Sequence, residues 1–304
     1  MFGGAIFLFG AVIAAVVFLI WRFGRHPQVA VLSDRIAPVV AAARRRALVA
    51  VAFALVVFFA GAAVTMLLPG LFGLPLAVAA PVAGAAGLLL YAATPPRAVG
   101  VDDGQPRSAG LTRRTWISTI PKRWLRIGIG VIVLFVAVVI LCGLTASDDE
   151  YGLSRSITFE GAGVRSTAGP YPGWYYGIPA LIALAVLVVA VVVALQRIGS
   201  TAAFPDRSDA DSDEQWRRAS ASVILRLAAG SALFTVGGLA AMAGAMMAGT
   251  ATGVGAPMGW VVTGVTLTCL GYLLLVLSVV SVTLAILTSH TIGEKLARTP
   301  EQVR

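Results

Sequence analysis

The sequence predicts an all-α integral membrane protein, a seven-transmembrane helix bundle with its N-terminus outside and its C-terminus in the cytoplasm. Three observations predict it. Of the 304 residues, 58% are hydrophobic and only 12% are charged, whereas a soluble domain carries about 25% charged residues. The chain contains seven apolar runs of about 20 residues, the length at which a helix crosses about 30 Å of hydrocarbon. The basic residues lie almost entirely in alternate loops.

The seven predicted spans contain no Asp, Glu, Lys, Arg or His. They are Phe2–Trp21, Ala47–Leu68, Leu74–Ala93, Ile127–Leu144, Tyr175–Leu195, Leu227–Met247 and Trp260–Thr283. Arginines follow the first span and no charge precedes it, which favours a retained anchor over a cleaved signal peptide. All six Trp lie at or near the ends of these spans, where an amphipathic indole meets the lipid headgroups. We therefore expect a single polytopic membrane domain over residues 1–304.

The charge distribution predicts the orientation. Of the 23 basic residues, 21 lie on one side of the predicted membrane, and only Arg155 and Arg165 lie on the other. The positive-inside rule therefore places the basic loops 96–126 and 196–226 in the cytoplasm. The same rule explains the net charge of +9 without a nucleic-acid partner. Because 21 of the basic residues are Arg, with many Ala, Val and Gly, we expect a bacterial source and the bacterial cytoplasmic (cell) membrane.

The outer side has one loop of any size, the small extracytoplasmic loop 145–173. Alternating residues at Ile157–Phe159, a Gly161–Gly163 turn and Val164 predict a small hairpin. The three neighbouring acids Asp148–Glu150 could hold a cation. They lack the glycine and spacing of a calcium loop, so a solvated rim is favoured.

An internal repeat relates two of the predicted hairpins. At an offset of 100 residues, positions 97–130 show seven identities in 34, among them Trp116 with Trp216 and Leu125–Arg126 with Leu225–Arg226. Spans four–five and six–seven therefore resemble two copies of one hairpin running in the same direction, with spans two–three as a more diverged copy. Parallel repeats occur in transporters and in bundles that do not transport, and the pattern leaves both readings open.

Span seven carries the candidate polar face. At about 100° per residue, several of its hydroxyls share one stripe, and Tyr272 lies near the middle of the span. The candidate pathway residues are Thr263, Thr266, Tyr272, Ser278 and Ser281. They either line a pathway, or each hydroxyl bonds a backbone carbonyl in its own helix or a neighbouring one. The second interpretation is favoured.

Small residues predict close helix packing in span six. Gly237 and Ala241, and Gly244 and Ala248, are small-x-x-x-small pairs, which let helices approach closely. Span three repeats the device with Ala80, Gly84 and Gly87, around Pro81. We expect packing within the monomer rather than dimerisation.

The basic loops end in aromatic and arginine residues that suit an interfacial anchor or a cytoplasmic docking surface. These candidates are Trp116, Arg126, Trp216, Arg217, Arg218 and Arg226. Ser212-x-x-Gln215 has the pattern of a capping box, so we expect a helix that begins there, about ten residues before the bilayer. A cytoplasmic or membrane protein partner would bind these arginine-rich loops.

No catalytic motif is recognisable, and two separated His and two Cys do not suit a zinc site. We expect no metal, no cofactor and no enzymatic activity. The absence of ionisable groups within the spans argues against ion-coupled transport. The expected function is an accessory or permease-like component of a bacterial membrane assembly. The alternatives are a transporter or exporter of a neutral or amphipathic small molecule and, third, a membrane-embedded lipid-modifying enzyme.

Overall fold

A computed structural model describes residues 37–94, 120, 122–161, 163–201 and 210–297, with backbone alone at 37–40, 210–212 and 290–297. The described helices are α1 (Ala37–Leu67), α2 (Leu74–Ala93), α3 (Lys122–Thr145), α4 (Trp174–Gly199), α5 (Ala210–Gly253) and α6 (Met258–Ala297). All six are long and apolar enough to cross a membrane, so the chain is a mostly helical, multi-pass membrane protein. The first predicted span, Phe2–Trp21, lies outside the described residues, as does Trp116.

Five of the other six predicted spans fall within one helix each, and Ala47–Leu68 exceeds α1 by the single residue Leu68. Helix α2 has the predicted bounds Leu74–Ala93. The predicted capping box is wrong. Helix α5 already includes Ala210, so Ser212 lies inside the helix, and an N-cap must stand before the first helical turn. Helices α5 and α6 have 44 and 40 residues, far more than their apolar spans. In α5, ion pairs of Asp213 with Arg217 and of Glu214 with Arg218 support the polar first part of the helix.

Helix α5 is the centre of the bundle. It contacts α2, α3, α4 and α6, and 67% of its apolar window is buried inside the protein. The corresponding share is 22% in α1 and 33% in α6, which agrees with their positions at the periphery. The middle of α5 is rich in Ala and Gly, so neighbouring helices can approach it closely on several sides.

The longest helix contact joins α5 to α6 through glycines. A Cβ atom on Gly237 would lie 2.9 Å from the carbonyl oxygen of Gly271, and Gly264 would meet both Gly244 and Ala248. On α2, a Cβ on Gly87 would lie 2.6 Å from the Ala50 carbonyl oxygen of α1. These small residues therefore pack within the monomer, as predicted.

A small sheet forms one end of the molecule. Its strands are β1 (Ser147–Asp148), β2 (Ser154–Gly161) and β3 (Val164–Ala168), antiparallel in the order β1-β2-β3. The predicted hairpin is confirmed, with Gly161 paired to Val164 across the turn. The all-α prediction is therefore correct for the membrane-spanning part and incomplete for this sheet.

At the same end, a short 3-10 turn, Pro69–Leu71, joins α1 to α2. The hydroxyl of Tyr176, at the start of α4, donates to the carbonyl oxygen of Phe72 at 2.6 Å. Tyr175 donates to that of Leu71 at 3.1 Å. Two tyrosines thus attach this turn to α4. We call this end, with its strands, the sheet end.

Candidate functional site

Two of the five candidate pathway residues are engaged in the α5–α6 contact. The Ser278 hydroxyl is buried and donates to the Gly230 carbonyl oxygen at 2.7 Å. The Ser281 hydroxyl donates to that of Arg226 at 2.8 Å. Both bonds join α6 to the backbone of α5, which is the arrangement expected of hydroxyls that hold two membrane helices together.

The other three candidates lie on exposed parts of α6. Thr263 donates to the carbonyl oxygen of Gly259 in its own helix at 2.8 Å, and Thr266 is exposed. Tyr272 is 48% exposed. The structure therefore does not bring the five residues into one lining of the described bundle. Their role in a pathway stays a prediction.

The opposite end of the bundle from the sheet collects the predicted anchor arginines, and we call it the arginine-rich end. Its described basic side chains include Arg46 of α1, Arg123 and Arg126 of α3, Arg197 of α4, and Arg217, Arg218 and Arg226 of α5. Helices α1, α3 and α5 begin here, and α2, α4 and α6 end here. The last carbonyl groups of a helix accept no hydrogen bond within that helix. The ends of α2, α4 and α6 therefore provide acceptors for the arginines.

Arg217 is the most completely engaged of these side chains. It is buried, and its Nε lies 2.9 Å from Oδ2 of the equally buried Asp213. Its Nη1 donates to the carbonyl oxygen of Ile198 at 2.5 Å and its Nη2 to that of Thr201 at 2.9 Å. Arg217 thus joins α5 to the carboxyl end of α4, where the helix dipole favours a cation.

Arg218, one position further, is a surface residue. Its side chain is 57% exposed and forms an ion pair with Glu214 at 2.5 Å, four residues earlier on α5. Arg126 of α3 is also exposed. The neighbouring arginines of α5 therefore have different roles, because one points to α4 and the other to solvent.

Arg226 connects three helices. Its Nη1 donates to the carbonyl oxygen of Leu284 at 2.9 Å and to the hydroxyl of Thr288, both on α6. Its guanidinium carbon lies 4.8 Å from the ring centroid of Trp124 on α3, within cation–π range. The sequence predicted an interfacial arginine at position 226. It did not predict the contact of this arginine with Trp124, which also lies beside a predicted span.

Sequence reasoning missed a second contact of this kind, between α1 and α2. Arg46 donates through Nη2 to the Tyr91 carbonyl oxygen at 2.9 Å, and its guanidinium carbon lies 4.6 Å from the Tyr91 ring centroid. Close to this end, the buried Trp216 Nε1 has no hydrogen-bond partner among the described residues. The loop charge of Arg46 was visible in the sequence, but its partner was not.

At the sheet end, one of the three neighbouring acids is tied into the fold. Asp149 Oδ1 accepts from the backbone N–H groups of Tyr151 and Leu153, each at 2.9 Å, and Oδ2 pairs with Arg155. Burial opposes ionisation of Asp149, but these donors outweigh it and hold its pKa below the ordinary value. Arg155 in turn lies over the ring of Phe72, 3.5 Å from its centroid. Asp149 thus orders the loop.

The chemistry available to these groups is recognition of acceptors and anions by arginine and indole. Among the residues that the structure describes, no three His, Cys, Asp or Glu side chains form a group that could hold a metal ion.

The chain matches no protein-family model, and comparisons with curated proteins and with solved structures return no significant match.

Proposed function

We propose that the protein is a non-enzymatic component of the bacterial cell membrane, accessory or permease-like, which docks a partner protein on its arginine-rich end. In this proposal the arginine-rich end faces the cytoplasm and the sheet end faces outward. The described part of the chain serves as a fixed scaffold rather than as a site of chemistry. The rest of the assembly would supply any transport or catalysis.

The observation that carries the proposal is the length of α5 and α6. With 44 and 40 residues, they extend about 66 and 60 Å at 1.5 Å per residue, against about 30 Å of hydrocarbon. Both excess lengths lie mainly at the arginine-rich end, where α5 begins and α6 ends. A pair of rigid helices that continues out of the membrane is a suitable surface for a partner.

Two contacts support a fixed base for this extension. Arg217 holds the first part of α5 against the end of α4, and Arg226 holds α5 against α6. Arg218 and Arg126 remain exposed on the same end. Exposed charges on a rigid support are the features that guide association and orient a partner.

The full topology belongs to the same proposal. We infer seven spans, with Phe2–Trp21 as the first, the N-terminus outside and the C-terminus in the cytoplasm. The α3–α4 and α5–α6 hairpins both enter from the arginine-rich end, which supports the parallel repeat. Their contacts differ, since α3 packs against α5 as well as α4, and Arg126 is exposed where Arg226 is bonded.

Photo-crosslinking in cells tests the docking surface. A photoreactive phenylalanine analogue replaces Arg218, and a matched control replaces Arg165, which is also exposed and ion-paired but lies at the sheet end. We expect a discrete adduct with a different protein from position 218 and none from position 165. No adduct from 218, or the same adduct from both positions, would contradict docking at this end. An adduct of twice the chain mass would indicate self-association instead.

Cysteine labelling tests the transporter alternative. In a chain whose Cys142 and Cys269 are changed to Ser, single cysteines replace Thr263, Thr266 or Ser278. A membrane-impermeant thiol reagent should label none of them, because Ser278 packs on α5 and the two threonines would face lipid. A cysteine at Tyr151, 63% exposed at the sheet end, is the positive control. Labelling of all three positions would favour a hydrated pathway along α6.

A further inference from the structure

We propose that Arg123, Trp124 and Arg226 bind the phosphate headgroup of an anionic phospholipid in the leaflet at the arginine-rich end. We call these three residues the headgroup site. The inference requires only that the helices span a membrane and does not depend on the docking of a protein partner. It names a ligand that neither the loop charge nor the orientation of the chain specifies.

The site is assembled from two helices that are distant in sequence. The guanidinium carbons of Arg123 and Arg226 lie 5.7 and 4.8 Å from the ring centroid of the same indole, Trp124. Arg226 donates through Nη1 to Leu284 and Thr288, which fixes its position, while its Nη2 makes no hydrogen bond to the residues that the structure describes. A positioned guanidinium with free N–H donors is suited to phosphate oxygens.

The charge around the site is unbalanced. Of the acids of α5 whose side chains are described, Asp213 pairs with Arg217 and Glu214 with Arg218. The first turn of α3 carries Lys122 and Arg123 and no acid, although a helix N-terminus disfavours cations. The orientation rule explains why cations lie on this side of the membrane. It does not explain why Arg226 lies over the same indole as Arg123. An anion between the two arginines would offset their mutual repulsion and the unfavourable position of cations at the N-terminus of α3.

The surroundings favour a lipid over a free anion. Directly after the site, α3 presents exposed apolar side chains, with Leu125 at 41%, Ile127 at 45% and Ile129 at 53% exposure. These residues offer contact to acyl chains on the membrane side of the arginines. A half-buried Trp124 is placed where indoles meet headgroups. Basic groups between membrane helices at this level are known to bind anionic headgroups.

Native mass spectrometry of the purified full-length chain in detergent tests the site. Phosphatidylglycerol and phosphatidylcholine are titrated separately, and inorganic phosphate is added in a third series. We expect phosphatidylglycerol to bind more tightly than phosphatidylcholine. Arg123→Gln should weaken phosphatidylglycerol binding about fivefold, the effect of removing one cation near the membrane surface. Arg226→Gln should have at least as large an effect.

Arg123→Gln is the decisive variant, because the structure gives Arg123 no hydrogen bond among the described residues and its loss should leave the fold intact. Arg226→Lys keeps the charge of the second arginine but removes its fork, and should weaken binding less than Arg226→Gln. Arg218→Gln, an exposed arginine outside the site, is the matched control and should bind as the parent chain does. Equal binding of the two lipids, equal losses in Arg123→Gln and Arg218→Gln, or displacement of the lipid by inorganic phosphate would each overturn the proposal.

Discussion

Arg217 shows how one side chain can stabilise the junction of two membrane helices. A buried guanidinium is costly unless its charge and its donors are all engaged. Arg217 meets this condition with the carboxylate of Asp213 and with carbonyls at the end of α4. The ion pair is local, but the carbonyls belong to another helix. The residue therefore holds the first part of α5 against the end of α4.

Arg217→Ala should lower the free energy of unfolding by about 3–5 kcal/mol, because it leaves the Asp213 carboxylate buried without this partner. Arg218→Ala, which breaks an exposed pair, should cost less than about 1 kcal/mol. Denaturation of both variants in mixed micelles, followed by circular dichroism, measures the difference. Equal losses in the two variants would show that the Arg217 contacts are not stabilising.

Asp149 gives the sheet end a dependence on pH. Its pKa is lower in the folded protein than its ordinary value, which is about 3.9 for a free Asp side chain. Its contribution to stability is therefore fully present above about pH 3.9 and is lost as the pH falls through the folded-state pKa. The order of the loop should weaken only in strong acid.

The melting temperature of the detergent-solubilised protein should fall when the pH is lowered below that value. Part of this fall should be absent in Asp149→Asn, which is already destabilised at neutral pH because an amide cannot pair with Arg155. Glu150→Gln is the control, since Glu150 is exposed. An unchanged acid dependence in Asp149→Asn would assign the effect to other carboxylates.

At the scale of elements, α5 and α6 form a hairpin whose contact repeats every seven residues. Gly230, Gly237 and Gly244 of α5 face Ser278, Gly271 and Gly264 of α6 in antiparallel order. Seven residues are about two helical turns, so the three positions on each helix lie on one face. The two faces together form the seam between the helices. The absence of side chains along most of this seam lets the backbones approach, and Ser278 adds a hydrogen bond at its end.

Gly244→Ala should destabilise the hairpin by about 1–3 kcal/mol, the usual cost of overpacking, because its Cβ would collide with the backbone of α6 at Gly264 and Thr268. Gly249→Ala on the same helix meets nothing within 4 Å and should be neutral, or stabilising by up to about 1 kcal/mol through helix propensity. Unfolding in mixed micelles compares the two. A neutral Gly244→Ala would mean that the seam is not close-packed in the membrane.

At the scale of the whole molecule, the described helices alternate in direction between two chemically different ends. One end carries the sheet and its aromatic contacts to the Pro69–Leu71 turn, and the other carries the arginines and the extensions of α5 and α6. The arginines and the helix extensions thus lie at the same end of the bundle. We therefore expect the two ends to lie on opposite sides of the bilayer.

Reporter fusions test the orientation of the molecule. A fusion at Gly104 should report the cytoplasm and one at Ser154 the outside, since the basic loops are retained inside. Alkaline phosphatase, active only outside, and a fluorescent protein, active inside, provide reciprocal readouts. Equal signals at both positions, or the reverse pattern, would contradict the proposed topology. An epitope at residue 2, detected on intact cells, tests the outward N-terminus separately.

The six described spans could be located from hydropathy because the bilayer demands a continuous apolar length, and the Gly–Ala pairs of α5 could be recognised as packing surfaces. An extension of α5 before the bilayer was also predicted, but its start at Ala210 and the extension of α6 to Ala297 were not. A helix continues through polar residues wherever side chains support it, as Asp213 and Arg217 do. The sheet hairpin was visible in its alternation, but not its attachment to α4 through Tyr176.

By itself, the sequence determined that the chain is a multi-pass helical membrane protein. It also determined which side chains lie four residues apart and therefore on the same face of one helix. Only the tertiary structure decided which group each arginine and hydroxyl meets on another helix. Arg226 bonds a carbonyl 58 residues away, and Ser278 one 48 residues away. The physical reason is that periodicity specifies neighbours within a helix, whereas the pairing between helices depends on how closely the backbones approach, which is set by the whole packed bundle.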